Sequence, residues 1–185
     1  MASTRIPYPT ENELTPEVRE LLSRLPPLNI MRMIAGAPAA LRPLSELGEA
    51  LLLHTALDAR LREIAILAVA GASGSGYETA QHQDIGRAIG MPETEIRSAV
   101  SGNLDGLDPQ ARLVWRFAEQ IARDVKADQV LTAQVLERLG RQQATELVIV
   151  CAYYSALARI IETCGVDLEE RLPFSDLNLG GRNAA

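Results

Sequence analysis

The chain has 185 residues, 47% of them hydrophobic and 23% charged, and a net charge of −6. Such a composition suits one soluble globular domain with one substantial core. An acidic chain without a basic stripe excludes a sequence-independent nucleic-acid binder, and two histidines with no Cys-x-x-Cys argue against a metal site.

The first fourteen residues, with Pro7 and Pro9, read as an extended arm and lack the order of a signal peptide. Thr15-Pro16-Glu17 is an N-cap followed by proline at the first helical position, which predicts a short helix to about Arg24. Leu28–Ala35 is a second short helix, stopped by Gly36 and Pro38. A longer one starts at Pro38 or Pro43 and runs to about His54, with Leu44, Leu47 and Leu51 on its apolar face.

Arg60 to Met91, RLREIAILAVAGASGSGYETAQHQDIGRAIGM, organises the rest. Asp58 caps its first helix, which is apolar from Leu61 to Ala70 except for Arg62 and Glu63. The cluster Gly71–Gly76 reads as a loop. A second helix then runs to Gly90 and Pro92. In an antiparallel hairpin, residues equidistant from the loop face one another. The midpoint of Glu63 and His82 falls about one residue from the loop centre, so the two can meet, about 3 Å out of step along the axis. A carboxylate beside an imidazole orients the ring and stabilises its charged form. The pair is either a proton-handling site at the floor of a pocket or a buried structural hydrogen bond.

Pro92 opens a helix to about Ser101, and GNLDGLD is a turn-rich connection. Asp108-Pro109 starts a helix with Leu113, Phe117, Ile121 and Val125 at helical spacing. Asp128 begins another that stops at Gly140, and the last runs from about Gln142 to Cys164 and closes on Gly165. No segment alternates as a strand would. The expected fold is all-α, a single-domain helical bundle: arm 1–14, helical domain 15–170, tail 171–185. Residues 60–67 also resemble 143–150, a faint sign of a duplicated hairpin.

The apolar run Leu147–Ala158 is too short to span a bilayer. Cys151 and Cys164 lie on one helix, roughly 20 Å apart at about 1.5 Å per residue, too far for a disulfide. Both are expected reduced and buried, which with the polar N-terminus points to the cytoplasm. No contact with membrane or nucleic acid is expected.

Taken together, LNIMRMIAGAPAALRPLSELGEALL, the hairpin with YETAQHQDIGRAIGMPETEI, and ELVIVCAYYSALARIIETCGV resemble the carboxymuconolactone decarboxylase and alkylhydroperoxidase-D-like family. The family signature is a glutamate on the first hairpin helix and Cys-x-x-Cys-x-x-x-His on the second. Counted back from His82, the cysteine positions carry Ser75 and Glu78, and Glu63 falls on the glutamate. Tyr77 stands where some peroxidase members carry a second histidine. Peroxidase members use low-pKa thiols at a helix N-terminus, which Ser75 and Glu78 cannot replace. Ser75 and Glu78 form either a capping box or, with Glu78 turned one turn before His82 into the pocket, part of the site.

The resemblance therefore implies the decarboxylase side of the family, a cofactor-independent carbon–carbon lyase or isomerase. Its substrate would be a small carboxylated or lactone compound. His82, Glu63 and Glu78 are the expected catalytic residues, and Tyr77, Ser75, Arg32 and Asn29 the expected substrate-binding ones. Arg32 and Asn29 enter because they are polar within an apolar segment, although a surface salt bridge also explains Arg32. Tyr153 and Tyr154 either pack in the core or line the pocket. His54 reads as a partner of its helix C-terminus, and Trp115 as core or interface. Peroxiredoxin-like activity and a non-catalytic oligomeric binding protein are the alternatives. The family also implies a trimer or hexamer. Two helices that are apolar all round, Leu61–Ala70 and Glu146–Ile161, point the same way, with the N-terminal arm expected to reach over a neighbour.

Overall fold

The computed structural model describes residues 4–170, so the expected tail, 171–185, lies outside the described residues. Eight α-helices and no strand are found among them. These are α1 (Pro16–Arg24), α2 (Asn29–Ile34), α3 (Pro38–Leu53), α4 (Ala59–Ser73), α5 (Gly76–Ala88), α6 (Glu93–Ser101), α7 (Pro109–Asp124) and α8 (Gln129–Cys164). A 3-10 turn, Leu104–Gly106, joins α6 to α7.

Local chemistry sets most of the boundaries. Thr15, Asp58, Asp108 and Asp128 each accept a hydrogen bond from a backbone N–H of the first turn that follows, which satisfies donors the helix leaves open. α5 ends in a Schellman motif at Gly90, where Gly90 N–H bonds Arg87 O and Met91 N–H bonds Gly86 O. Gly140, at φ 74° and ψ 169°, breaks α8 into the two helices expected on either side of it.

α4 is the centre of the bundle. Every residue from Leu61 to Ala70 is buried, enclosed by α5, α6, α7 and α8. One chain therefore buries this all-round apolar helix by itself, and it gives no argument for assembly. α8 is different: Leu147, Val150, Cys151, Tyr154, Leu157 and Ile161 face the core, while Val148 and Ile149 stay 43% and 42% exposed.

Several expectations need correction. The Gly71–Gly76 cluster is no six-residue loop, because α4 continues through Ser73 and only Gly74 leaves the helix, at φ 67°. Small residues are tolerated in a helix end; the left-handed position is what stops it. The buried face of α3 is Leu41, Ser45, Gly48 and Leu51, and Leu47 points outward at 40% exposure. In α7 the core face is Ala111, Val114, Phe117 and Ala118, while Val125 is the exposed left-handed cap. Cys164 is only half-buried. Arg5 and Ile6 of the N-terminal arm meet the end of α8, where both N–H groups bond Cys164 O, at 2.8 and 3.2 Å.

Candidate active site

α4 and α5 fold back on each other about Gly74 and Ser75, and that hairpin delivers the expected pair. His82 Nδ1 lies 2.6 Å from Glu63 Oε2. Glu63 is completely buried and His82 is 5% exposed. Burial alone would push the Glu63 carboxyl up, but His82 and then Arg62 beside it hold it below the ordinary carboxylate value. Glu63 is thus an ionised, acceptor-only group, which assigns the Nδ1 proton to His82. Nε2 is left as the working nitrogen, and among the described residues no hydrogen bond reaches it.

Two neighbours complete this pair. Arg62 Nε donates to Glu63 Oε1 at 2.9 Å, and its Nη1 donates to Leu52 O at 2.8 Å. Residues adjacent on a helix ordinarily diverge, so spacing gave no reason to join Arg62 to the site; its place in an apolar run was the only hint. Tyr154 of α8 stands edge-on to His82, with ring centroids 4.7 Å apart. Burial, followed by the Glu63 charge, pushes its hydroxyl well above the ordinary tyrosine value. Tyr153 is a core residue whose hydroxyl donates to Leu44 O at 2.8 Å.

Ser75 and Glu78 form only half a capping box. Ser75 Oγ accepts from Glu78 N–H at 3.4 Å. The reciprocal bond is blocked because Ser75 N–H closes α4, bonding Ala70 O at 2.9 Å. The Glu78 side chain is left free, one turn before His82. It is 2% exposed, and neither of its oxygens has a partner among the described residues. Burial, with the Glu162 charge adding to it, pushes its carboxyl up to about 8. One carboxylate of the site is therefore held ionised and the other held neutral at pH 7, a division suited to base and acid roles.

The remaining expected residues gather elsewhere. Tyr77 donates to Glu169 Oε1 at 2.5 Å, and Asn29 N–H donates to the same oxygen at 2.6 Å. Asn29 Nδ2 reaches Asp167 O, and Arg32 Nη1 reaches Asn29 Oδ1. Arg32 is exposed and stacks over the Tyr8 ring, 4.7 Å from its centroid. Asn29, Arg32 and Tyr77 thus gather around Asp167 and Glu169, and among the described residues none of them hydrogen-bonds the Glu63–His82 pair. His54 is the exposed cap of α3, and Trp115 Nε1 donates to Ala99 O.

Grooves of about 740 and 380 Å³ lie between α7 and the start of α8, lined by residues such as Arg116, Leu131 and Gln134. Among the described residues no group of three His, Cys, Asp or Glu side chains is arranged to hold a metal ion.

Residues 38–120, which run from α3 into α7 and include Glu63, Ser75, Glu78 and His82, match the model of the carboxymuconolactone decarboxylase family. No curated protein matches the chain. Among solved structures, it is similar to an alkylhydroperoxidase AhpD core, an uncharacterized peroxidase-related protein from Ralstonia eutropha JMP134. That likeness has a TM-score of 0.77 at 18% identity over 90% of this chain and 93% of that one. An uncharacterized peroxidase-related protein from Silicibacter sp. TM1040 also gives 0.77, at 16% identity and 94% of each chain. At such identities these likenesses speak for the fold. Residues 38–120 thus match the carboxymuconolactone decarboxylase family, and the chain as a whole shares the all-α fold of the two peroxidase-related structures.

Proposed function

We propose that the protein is a cofactor-independent lyase or isomerase acting on a small carboxylated or lactone substrate by proton transfer at His82. The family match over residues 38–120, with the likeness in fold, supports the coarser class, carboxymuconolactone decarboxylase-like or alkylhydroperoxidase-like. The observation that carries the finer reading is the arrangement on α5. A histidine tied at Nδ1 to an ionised carboxylate has an uncharged, unpartnered carboxyl one turn away.

In a decarboxylation, the bond from the carboxylate carbon to the substrate carbon breaks. Its electron pair moves into a conjugated carbonyl, carbon dioxide leaves, and an enolate remains. His82 Nε2–H then delivers a proton to carbon, and Glu63 holds the ring and offsets its charge. The neutral Glu78 carboxyl donates a hydrogen bond to the enolate oxygen. Solvent returns the proton to His82.

Thiol peroxidase chemistry lacks its groups. Ser75 and Glu78 hold the two thiol positions, and burial pushes the Cys151 thiol up to about 12, far from a reactive thiolate. Replacing both Cys151 and Cys164 with serine is expected to leave activity intact. The decisive test is His82→Gln on the substrate: kcat falls by about 10²–10⁴-fold with affinity nearly unchanged, because the lost interaction belongs to the transition state. Glu63→Gln costs less. Wild-type turnover in His82→Gln would assign the histidine to structure and the chemistry elsewhere.

A further inference from the structure

The chain's own Glu169 occupies a set of three donors held in place by two helices, α2 and α5. Its Oε1 accepts from Asn29 N–H at 2.6 Å and from Tyr77 Oη at 2.5 Å, and Gln81 Nε2 donates to Oε2. Tyr77 and Gln81 are 7% and 4% exposed, so their donors lie in the protein rather than on its surface. Burial, and then the Glu169 carboxylate itself, raises the Tyr77 hydroxyl, which therefore stays a donor. Gln81 Oε1 is buried beside them with no partner among the described residues.

The placement of these donors on α5 is the informative point. Tyr77 and Gln81 are four residues apart and form one row along the helix. Glu78 and His82, also four apart, form the next row, one residue round. Gln81 and His82 follow one another in the chain, so a carboxylate held by the first row sits one helical step round α5 from the proton-handling groups of the second. The segment that brings Glu169 there is tied down at Asp167, whose N–H donates to Tyr8 Oη at 3.1 Å and whose O accepts from Asn29 Nδ2 at 2.9 Å. Glu169 satisfies the donors but leaves Gln81 Oε1 unpartnered, and in the next row both Glu78 oxygens are unpartnered too among the described residues.

We infer that Tyr77, Gln81 and the Asn29 N–H form the carboxylate-recognition seat of the active site. Glu169 fills that seat as an internal stand-in, and a small carboxylic acid takes its place when the segment 166–170 lifts. This rests on the reading of the Glu78–His82 row as a site for a carboxylated substrate. It makes the C-terminal segment an internal competitor, so the apparent affinity for substrate falls by the fraction of chains whose seat is open.

Propionate, which matches the Glu169 side chain beyond its Cα, is the probe. In Glu169→Ala, sodium propionate is expected to raise Tm saturably in the millimolar range, while propionamide and matched sodium chloride do not. Wild type should respond about tenfold more weakly or less, since its own carboxylate competes. Tyr77→Phe in the Glu169→Ala background should weaken the response, and bound propionate should shift the ring resonances of His82, assigned by their loss in His82→Gln. If Glu169→Ala does not fold, Glu169→Gln serves: it removes the charge and sets its amide donor against that of Gln81. The inference is overturned if neither variant responds saturably to propionate, or if wild type responds equally. It is overturned too if loss of the Tyr77 hydroxyl changes nothing, or if His82 stays silent while propionate binds. None of these readouts involves turnover, so they succeed or fail independently of the His82→Gln test.

Discussion

Glu78→Gln isolates the uncharged carboxyl at the centre of the proposed site. In the folded protein this carboxyl titrates near 8 against an ordinary value of 4.5, chiefly because burial disfavours its charged form. The folded state therefore holds its proton through a range in which the unfolded chain has already released it. Stability is fully present below about pH 4.5 and declines as pH rises, levelling off above about 8. At 1.36 kcal/mol per pKa unit, this one group removes about 4 kcal/mol of stability between pH 5 and 9. Glu78→Gln keeps the shape and abolishes the ionisation, so the variant should lack that part of the slope. Its constant offset, from burying an amide without a partner, does not affect the comparison. The assay is urea unfolding of both proteins at pH 5, 6, 7, 8 and 9, reading the difference in unfolding free energy at each. Parallel pH profiles would refute the argument, since they would mean that Glu78 is ionised in the folded protein and has found partners.

Three further outcomes follow from the packing. Arg62→Met should destabilise by about 3 kcal/mol or more, because it leaves the buried Glu63 carboxylate with His82 alone; a loss under about 1 kcal/mol by chemical denaturation would show that the ion pair is replaceable. Gly48→Ala sets a Cβ 2.6 Å from Tyr153 Oη, so it should cost about 1–3 kcal/mol by overpacking, and Tyr153→Phe in that background should recover part of the loss; additive losses would exclude the clash. The outer face of α8, with Val148 and Ile149 exposed, is proposed to pack against other copies of the chain, so Val148→Glu should lower the mass seen by light scattering; a wild-type monomer at micromolar concentration would dismiss the idea.

Much of the fold is legible in the sequence because its signals are local. A capping aspartate or threonine followed by proline, and a glycine at a left-handed position, act within one turn of the chain. They mark α1, α5, α7 and the break in α8 without reference to anything distant. The Glu63–His82 contact is legible for a related reason: a hairpin joins its two halves by a short connection, so their mutual register follows from counting residues. The same counting fails where the cluster Gly71–Gly76 is taken as loop. Composition says where a helix is free to end, whereas the left-handed geometry at Gly74 says where it does end.

The rest of the site depends on groups that chain distance keeps apart. Tyr154 meets His82 because α8 crosses the hairpin, and Arg62 turns onto Glu63 because Leu52 O holds its other end. Glu78 is left unpartnered because Ser75 N–H is already spent closing α4, a competition that the Ser-x-x-Glu spacing cannot express. Asn29 and Tyr77 meet through Glu169, which is 140 residues from one and 92 from the other. Helix and cap follow from interactions a few residues long. Which polar groups share a buried space follows from how helices pack, and that is fixed by the summed burial of the whole core rather than by any single stretch of sequence.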